Sequence, residues 1–433
     1  MDSMYREGFH VTGGGSHEEL RARVSELYKS YVNPGRFRLA SLMSLDKIEG
    51  EASGCIIRTA DGDEYLDCFG SFGVFNVGHN HPKVIEAVER QLRRMPLSTR
   101  FLLSEPLAEM ARRLAEITPE GITYVFPVHS GAAAVEGALK LARAATGRPE
   151  IVATHGAFHG KTFGALSASG KDHFKNPFRP LLPEVKHVPF GDAGAAAEAV
   201  SDRTAAFIVE PIQGEAGVII PPDGYLNELR AICDKHGALL IVDEVQTGFG
   251  RTGAMFGCNH DGVVPDIMTF AKAIGGGVMP LGAFVGNERA FRPLIDDPYL
   301  HSTTIESQCA FAAACATIDV IRSEGLVERS RQMGEYLLSE IRKVAREYPD
   351  IVSDVRGRGL MIAMDFVEMG HGGVVLADMI EQKILVGFSF NNPQTIRLEP
   401  PLVISKSQAD RAVEGLAHAF EQARLVMSYS GRE

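Results

Sequence analysis

The chain has 433 residues, more than one ordinary hydrophobic core holds, so two domains are expected. Its apolar content of 45% and charged content of 23% are those of a globular protein. A formal net charge of -11 argues against binding to nucleic acid or to an anionic membrane, because both need a basic surface.

The six cysteines are scattered without the C-x-x-C spacing of a zinc site or a disulfide framework, so no metal site is predicted. The chain opens without a secretory signal, and the best apolar helix, residues 310–321, is shorter than the roughly 20 residues of a membrane span. We therefore expect a cytoplasmic protein with reduced thiols.

Residues 17–30 are spaced as an amphipathic helix, YVNPG after them is typical of a turn, and an Asp-Gly pair within residues 55–66 predicts a hairpin. From 121 to 286, helical stretches alternate with short apolar runs, as expected of strands buried on both faces. The predicted strands are ITYVFPV, EIVATH, VKHVPF, AAFIVEPI, ALLIVDEV, DIMTFA and GAFVG. This alternation predicts an α/β fold with a mostly parallel central sheet flanked by helices.

The pattern changes after residue 325 to a long helix at 326–347, several short strands and a closing helix. This order is typical of a smaller α+β domain. We therefore predict an N-terminal segment (1–65) that joins the small domain, a large domain (66–325) and a C-terminal small domain (326–433).

An acid and a lysine follow two neighbouring predicted strands. Asp243 ends the run ALLIV, and Lys272 ends the run DIMTFA just before a glycine-rich stretch. A carboxylate at such a place can keep a pyridine nitrogen protonated, and a lysine can form a Schiff base, so the pair predicts a pyridoxal phosphate (PLP) site. Gln246 could donate to the phenolic oxygen of the ring. A capping acid and a surface lysine are the alternative, but both residues end runs that look buried.

Two glycine-containing segments could bind the rest of such a cofactor. Ser130-Gly131-Ala132 opens a predicted helix, whose free N–H groups suit a phosphate, although an ordinary N-cap serine is the simpler interpretation. Phe158, in GAFHGKT, could stack on an aromatic ring, or could be a core aromatic. GAFHGKT also resembles a P-loop with its first glycine one place too late, so an NTPase remains a remote alternative.

Arg397, in TIRLEPPL, could hold a carboxylate through its planar guanidinium. A surface arginine paired with Glu399 is an equally good interpretation. Glu210 ends the apolar strand FIV, and a buried carboxylate needs a partner, so Arg397 is its predicted partner.

These residues together resemble the class III PLP-dependent aminotransferases of the ornithine and 4-aminobutyrate type. The motifs that carry the resemblance are IVDEVQTGFGRTG, AKAIGGGVMPLGA, VEPIQGEAGV and RLEPPL, and it extends from about residue 31 to the C-terminus. The segments YVNPG, FGVFNVGHNHP, GAFHGKTFGALSA and HVPFG are most similar to the putrescine aminotransferase branch of the family.

The resemblance implies fold type I, a PLP cofactor and a homodimer with shared active sites. For the ring, it implies that Lys272 forms the Schiff base, that Asp243 contacts the pyridine nitrogen, that Gln246 contacts the ring hydroxyl oxygen, and that Phe158 stacks on the ring with His159 beside it. For the phosphate, it implies a cradle of Ser130, Gly131 and Ala132, with a contact from Thr304 of the other subunit. For the substrate, it implies that Arg397 binds the α-carboxylate and that Glu210 pairs with that arginine. Two segments depart from the family pattern, Ala132-Ala133 in the cradle and residues 305–310 after Thr304.

The resemblance also implies a ping-pong reaction, in which a putrescine-like diamine or another omega-amine gives its terminal amino group to an α-keto acid such as 2-oxoglutarate or pyruvate. Lys272 would move the proton, and Glu210 would cover Arg397 during the amine half-reaction. An enzyme for amino acids of the ornithine, acetylornithine or 4-aminobutyrate type, or for an aldehyde or ketone intermediate of specialised metabolism, is the alternative. A racemase, epimerase or decarboxylase could use the same residues.

Overall fold

The computed structural model of the protein describes residues 16–301, 306–389 and 391–430. Its strands are β1 (Glu49–Ser53), β2 (Ile56–Thr59), β3 (Glu64–Asp67), β4 (Tyr124–Val128), β5 (Glu150–Thr154), β6 (Val185–Val188), β7 (Thr204–Val209), β8 (Leu239–Asp243), β9 (Ile267–Phe270), β10 (Gly282–Gly286), β11 (Val352–Arg358), β12 (Met361–Phe366), β13 (Ile384–Leu385), β14 (Gly387–Phe388) and β15 (Thr395–Leu398). Its helices are α1 (His17–Leu27), α2 (Pro34–Leu42), the single turn α3 (Gly70–Gly73), α4 (Pro82–Arg94), α5 (Glu105–Ile117), α6 (Gly131–Thr146), α7 (Phe163–Ala168), α8 (Asp172–Lys175), α9 (Ala193–Ala199), α10 (Tyr225–His236), α11 (Glu288–Asp296), α12 (Gln308–Ser323), α13 (Leu326–Ala345), α14 (Met369–Glu381) and α15 (Lys406–Ser430).

A seven-stranded sheet in the order β4-β10-β9-β8-β7-β5-β6 forms the centre of the molecule. Strands β5 to β9 pair in parallel, whereas β10 runs antiparallel to both of its neighbours, β9 and β4. Each of these strands overlaps one of the predicted apolar runs, and helices such as α6 and α10 pack on the sheet. The predicted α/β fold with a mostly parallel sheet is confirmed.

The central strands are apolar throughout because both faces of the sheet are covered. Successive side chains of a strand point to opposite faces. In β8, Leu239 and Ile241 belong to one buried cluster, and Leu240 and Val242 belong to the other. The two cores therefore share one sheet, which fixes the ends of its strands in space.

Two smaller sheets complete the architecture. One has the order β11-β12-β15-β14, and the other has the order β1-β2-β3-β13. In the second sheet, β13 pairs in parallel with β3 through Ile384 and Leu66, so the predicted N-terminal hairpin adjoins the C-terminal part of the chain. The boundaries of the three predicted segments stay a prediction.

The Pro-Gly pair at residue 34 begins a helix, which corrects the predicted turn. Pro34 occupies the first position of α2, where its missing N–H has no helical partner to lose. Asn33 caps the helix, since its Oδ1 accepts from Arg36 N–H at 3.1 Å. No helix within the described part of the chain is long and apolar enough to cross a membrane.

Candidate active site

A cavity of about 540 Å³ lies at the carboxyl ends of the parallel strands, where ligands of open α/β sheets bind. The predicted site residues that line it are Ser130, Gly131, Ala132, Phe158, His159, Glu210, Asp243, Gln246 and Lys272. Arg397 is fully buried behind the cavity wall. Thr304 falls outside the described residues, so its predicted position is not tested.

Lys272 follows β9 and opens the 3-10 turn Lys272–Gly275 with a φ of +50°. Residues other than glycine rarely adopt this left-handed conformation, and such strain is concentrated at functional sites. Burial lowers the pKa of Lys272, although the nearby carboxylates of Glu215, Glu399 and Asp243 act in the opposite direction. The amine is therefore more readily available as a free base than that of an ordinary lysine.

Asp243 is buried at the end of β8, and both of its carboxylate oxygens have partners. Thr269 Oγ1 and Val245 N–H donate to Oδ1 at 2.9 and 3.1 Å. His159 Nδ1 donates to Oδ2 at 2.7 Å. Burial alone would lower the pKa of His159, but this hydrogen bond and the negative charges of Asp243 and Glu210 outweigh it, so the pKa is raised. These three hydrogen bonds fix the orientation of the Asp243 carboxylate, which could then hold a proton on a ligand nitrogen.

Ser130 is the N-cap of α6, and its Oγ accepts from Ala133 N–H at 3.2 Å. The helix starts at the cavity, so its first N–H groups and its positive dipole end are available to an anion there. Gly160 packs against the same turn, since a Cβ on it would lie 2.6 Å from Ala132 Cβ. Close packing of the 156–160 loop on α6 thus shapes this end of the cavity.

Gln246 follows β8 on the same loop as Asp243, and its Nε2 donates to Phe72 O at 3.1 Å. Its carbonyl end packs against Gly214, where a Cβ would lie 1.4 Å from Gln246 Oε1. A residue larger than glycine at 214 cannot be accommodated without moving the amide. The glycine therefore keeps the Gln246 side chain at the cavity.

Glu210 does not pair with Arg397, which corrects the predicted pairing. Its carboxylate accepts from Phe158 N–H at 3.1 Å instead. Burial raises the pKa of Glu210 to about 7, and the charge of Asp243 adds to the effect. Glu210 directly follows β7 and lines the cavity, whereas Arg397 belongs to β15, in a different sheet.

Glu215 occupies the place that was predicted for Glu210. Arg397 Nη2 donates to both carboxylate oxygens of Glu215, at 3.1 and 3.2 Å. Arg397 Nη1 also lies 3.4 Å from Glu399 Oε1, as the alternative interpretation expected, but the arginine is buried rather than on the surface. Glu215 itself lines the cavity, so it separates the arginine from any ligand there.

The GAFHGKT segment does not form a phosphate-binding P-loop. A P-loop directs consecutive N–H groups at a phosphate. Here Phe158 N–H donates to Glu210, and His159 N–H donates to Ser169 Oγ at 3.0 Å. These two N–H groups are already hydrogen-bonded within the protein, so they are not available to a phosphate. The segment forms part of the cavity wall instead.

The residues of the cavity fit the groups of PLP. A lysine amine of lowered pKa suits an aldehyde, a buried carboxylate suits a ring nitrogen, and the start of α6 suits a phosphate. Phe158 in the wall offers a flat face to the ring. His159 Nε2 is buried and has no hydrogen-bond partner among the described residues, which leaves one polar atom beside Asp243 for the cofactor or for ordered water.

Sequence reasoning missed two residues of this site. Thr269, which donates to Asp243, lies on β9 directly opposite Asp243 on β8, so the strand pairing could have identified it. Glu215 stands in QGEAG, and the flanking glycines mark a tight loop near the cavity. Gly217 indeed has a φ of +111°.

The chain is similar to known aminotransferases over nearly its whole length. A model of the aminotransferase class-III family matches residues 44–420. Similar solved structures include the ornithine aminotransferase of Toxoplasma gondii, with 29% identity, a TM-score of 0.86 and coverage of 94% of this chain and 95% of that chain. A transaminase of the marine bacterium Virgibacillus has 30% identity, a TM-score of 0.86 and coverage of 94% and 100%. An (S)-enantioselective omega-transaminase of Thermomicrobium roseum has 32% identity, a TM-score of 0.84 and coverage of 95% and 100%.

The architecture of this chain matches that of these structures, which is the fold type I expected from the sequence. The T. gondii structure was described with partial occupancy of PLP at its active site. The family match leaves the NTPase alternative without support.

Proposed function

This chain belongs to the class-III aminotransferases, and from that premise we propose that it transfers the terminal amino group of a putrescine-like diamine or another omega-amine to an α-keto acid such as 2-oxoglutarate or pyruvate. As a member of this family it is an aminotransferase that uses PLP. The observation that carries the proposal is the pairing of Arg397 with Glu215. With its carboxylate-binding arginine covered, the cavity suits an amine that has no carboxylate.

Bound PLP supplies an aldehyde that takes up the amino group and a ring that stabilises negative charge on the reacting carbon. In the amine half-reaction, Lys272 Nζ would take a proton from the substrate carbon that bears the amino group and give it to the aldehyde carbon of the cofactor. In the keto-acid half-reaction it would move a proton in the reverse direction. Its lowered pKa supports this role, because a general base works best when its pKa is near the working pH. Phe158 and Gln246 both line the cavity, where Phe158 would stack on the ring and Gln246 would contact its hydroxyl oxygen.

Asp243 keeps the ring nitrogen protonated through a charge that does not have to reorganise during the reaction. Three hydrogen bonds, from His159, Thr269 and Val245, fix its carboxylate. Ser130, Gly131 and Ala132 hold the phosphate at the start of α6. Ala132 and Ala133 stand where the family pattern has a hydroxyl residue and an acid. Backbone N–H groups and Ser130 would therefore be the phosphate donors of this cradle.

Glu215 acts as the switch between the two half-reactions, a role that sequence reasoning gave to Glu210. While the amine reacts, Glu215 neutralises Arg397. When the keto acid enters, its carboxylate replaces that of Glu215 on the arginine. The exchange keeps one anion on the buried cation at all times, which avoids an unpaired buried charge.

The switch can be tested in single half-reactions, followed by the absorbance of the bound cofactor. In E215A the arginine lacks its main partner during the amine half-reaction, so kcat/KM for putrescine should fall by at least about tenfold more than kcat/KM for 2-oxoglutarate. E228A, on the outer helix α10, serves as the control. Equal losses in both half-reactions would contradict the switch. A survey of amine donors by single-turnover bleaching of the cofactor absorbance then identifies the substrate.

An amino acid donor of the ornithine, acetylornithine or 4-aminobutyrate type is the second candidate. Arg397 could hold the carboxylate of such a donor once Glu215 has moved. The similarity to an ornithine aminotransferase supports this candidate, and the similarity to an omega-transaminase supports the amine donor. Comparing kcat/KM for putrescine and ornithine decides between them.

We further propose that the enzyme is a homodimer with shared active sites, to which the partner contributes Thr304. Phe101, Leu102 and Leu103 form an exposed apolar run. An apolar patch of this kind on a globular protein is typical of an interface. Leu97, four residues before this run, forms an isolated bridge with Ser307, which follows Thr304 by three residues in the sequence.

A further inference from the structure

In the proposed switch, Glu215 leaves Arg397 when a keto acid binds, and its carboxylate then needs a new hydrogen-bond partner. Both carboxylate oxygens of Glu215 lie within 3.2 Å of Arg397 Nη2. If the carboxylate of a keto acid takes this place, the Glu215 side chain has to leave while it remains enclosed by protein. A buried carboxylate without a donor is unfavourable. The released acid therefore needs a hydrogen-bond donor close to Arg397.

Several buried polar atoms around the switch have no partner among the described residues. They are Ser389 Oγ, Asn391 Oδ1, Arg397 Nε and Glu399 Oε2. Two of these are acceptors only, and the Asn391 amide group already donates to Gly156 O at 2.8 Å. Since Arg397 is the residue that Glu215 leaves, the Ser389 hydroxyl is the one remaining donor among these four atoms.

The chain on both sides of Ser389 contacts the switch. Phe388 O accepts from Arg397 Nη2 at 3.2 Å, and this is the nitrogen that Glu215 binds. Asn391 N–H donates to Glu215 O at 3.0 Å. The backbone of Glu215 is thus hydrogen-bonded to the loop that carries Ser389, so the two residues are held in neighbouring segments.

We propose that the Ser389 hydroxyl receives the Glu215 carboxylate when that acid leaves Arg397 to admit a keto acid. This inference rests on the proposed function, because it supplies the second position of the same switch. Ser389 is a positioning residue: in the open state it would contact Glu215 and not the reacting atoms. It stabilises the open state, so it affects the keto-acid half-reaction and leaves the closed, amine-binding state unchanged.

The test uses the holoenzyme and two substitutions at one position. S389A removes the hydroxyl, and S389T keeps it. A hydrogen bond to a charged group is worth about tenfold in affinity, so S389A should raise KM for 2-oxoglutarate about tenfold and change kcat/KM for putrescine less than about twofold. The dissociation constant of glutarate, a dicarboxylate that cannot accept an amino group, should rise by the same factor, and S389T should restore both values.

A double-mutant cycle with Glu215 provides the decisive comparison. Without Glu215 there is no carboxylate to receive, so S389A should not weaken glutarate binding further in an E215A background. An undiminished loss in that background overturns the proposal. So does a loss in S389A that affects both half-reactions equally, as a general defect in folding would, or wild-type values for both.

The cycle also separates the proposal from the function on which it rests. If E215A itself fails to distinguish the two half-reactions, the Glu215 switch is wrong. If E215A distinguishes them and S389A does not, the switch holds and only the role of Ser389 is wrong.

Discussion

At the scale of single residues, burial gives the site its chemistry. Lys272 and Glu210 both lie at the cavity, and burial disfavours the charged form of each. It therefore lowers the pKa of the amine and raises that of the acid. Asp243 lies in the same surroundings, and three donors bind its carboxylate. The two acids of the cavity thus differ in the hydrogen bonds that their carboxylates accept, three for Asp243 and that of Phe158 N–H for Glu210.

The role of Lys272 predicts the effect of K272A. Without the amine, the protein should lose the visible absorbance of covalently bound PLP, and its activity should fall by at least about a hundredfold, which is typical of removing a general base. Absorbance spectra and turnover measure the two effects. K235A, on the exposed end of α10, is the control and should behave as wild type. Retained absorbance and turnover in K272A would mean that another residue carries the cofactor.

The raised pKa of Glu210 predicts a pH-dependent stability. Between its ordinary pKa of 4.5 and about 7, the acid is protonated in the folded protein and ionised in the unfolded chain. The folded state then binds more protons, so its stability falls as the pH rises through this range, by up to about 3 kcal/mol.

E210Q should remove this part of the pH dependence. Thermal unfolding of the cofactor-free protein at about pH 5 and about pH 8 should show a smaller difference in E210Q than in wild type, because glutamine does not titrate. The same difference in both proteins would show that Glu210 ionises normally in the fold.

At the scale of secondary-structure elements, close backbone contacts position the parts around the site. Helix α13 packs against the turn between β11 and β12, where a Cβ on Gly334 would lie 2.1 Å from Gly359 O. Gly359 adopts a φ of +57°, which only glycine reaches readily. The turn and the helix therefore approach each other at two glycines. Glycine in a helix is normally unfavourable, and here the packing explains it.

Two glycine substitutions in helices should have opposite effects on stability. G334A forces α13 away from a backbone carbonyl, so it should lower the free energy of unfolding by about 1–3 kcal/mol. G373A, in α14, meets open space and should raise it by up to about 1 kcal/mol, because alanine is the better helix former. Denaturant titration of the two variants measures both changes, and a stable G334A would refute the close approach.

At the scale of the whole molecule, single buried side chains connect distant parts of the chain. Arg251 is fully buried and donates to Leu360 O at 2.9 Å, Pro400 O at 2.6 Å and Asn76 Oδ1 at 2.7 Å. Its loop follows β8, so it joins the cofactor end of the central sheet to the C-terminal region and to the 69–82 loop. The ion pair of Glu215 and Arg397 makes a second such connection, because it joins the loop after β7 to strand β15.

The proposed homodimer predicts the effect of charge in the exposed apolar run. The double substitution F101D/L103D should convert the dimer to monomers, because each new carboxylate would have to be buried in the interface. V367D, at an exposed valine elsewhere on the surface, is the control. Sedimentation velocity measures the oligomeric state. A dimer that survives F101D/L103D would place the interface elsewhere.

The sequence by itself determined the central sheet and placed Asp243, Lys272 and Glu210 at one edge of it. The apolar runs of β4 to β10 are local patterns, and a residue that ends a parallel strand must lie at the same edge of the sheet as the ends of its parallel neighbours. Asp243, Lys272 and Glu210 could therefore be placed together without knowledge of any contact. Their chemical roles stay predictions, as does that of Thr304, because no measurement of the reaction tests them.

Only the tertiary structure decided which acid meets Arg397. Glu210 and Glu215 stand in one short segment, and both are buried carboxylates next to the cavity. The 211–217 loop turns Glu215 toward Arg397 and leaves Glu210 with Phe158 N–H. The partner lies on a distant strand, β15, so the choice depends on how two remote segments pack. No local pattern in the sequence predicts such a contact, because it depends on the conformation of the loop and on how the folded chain packs.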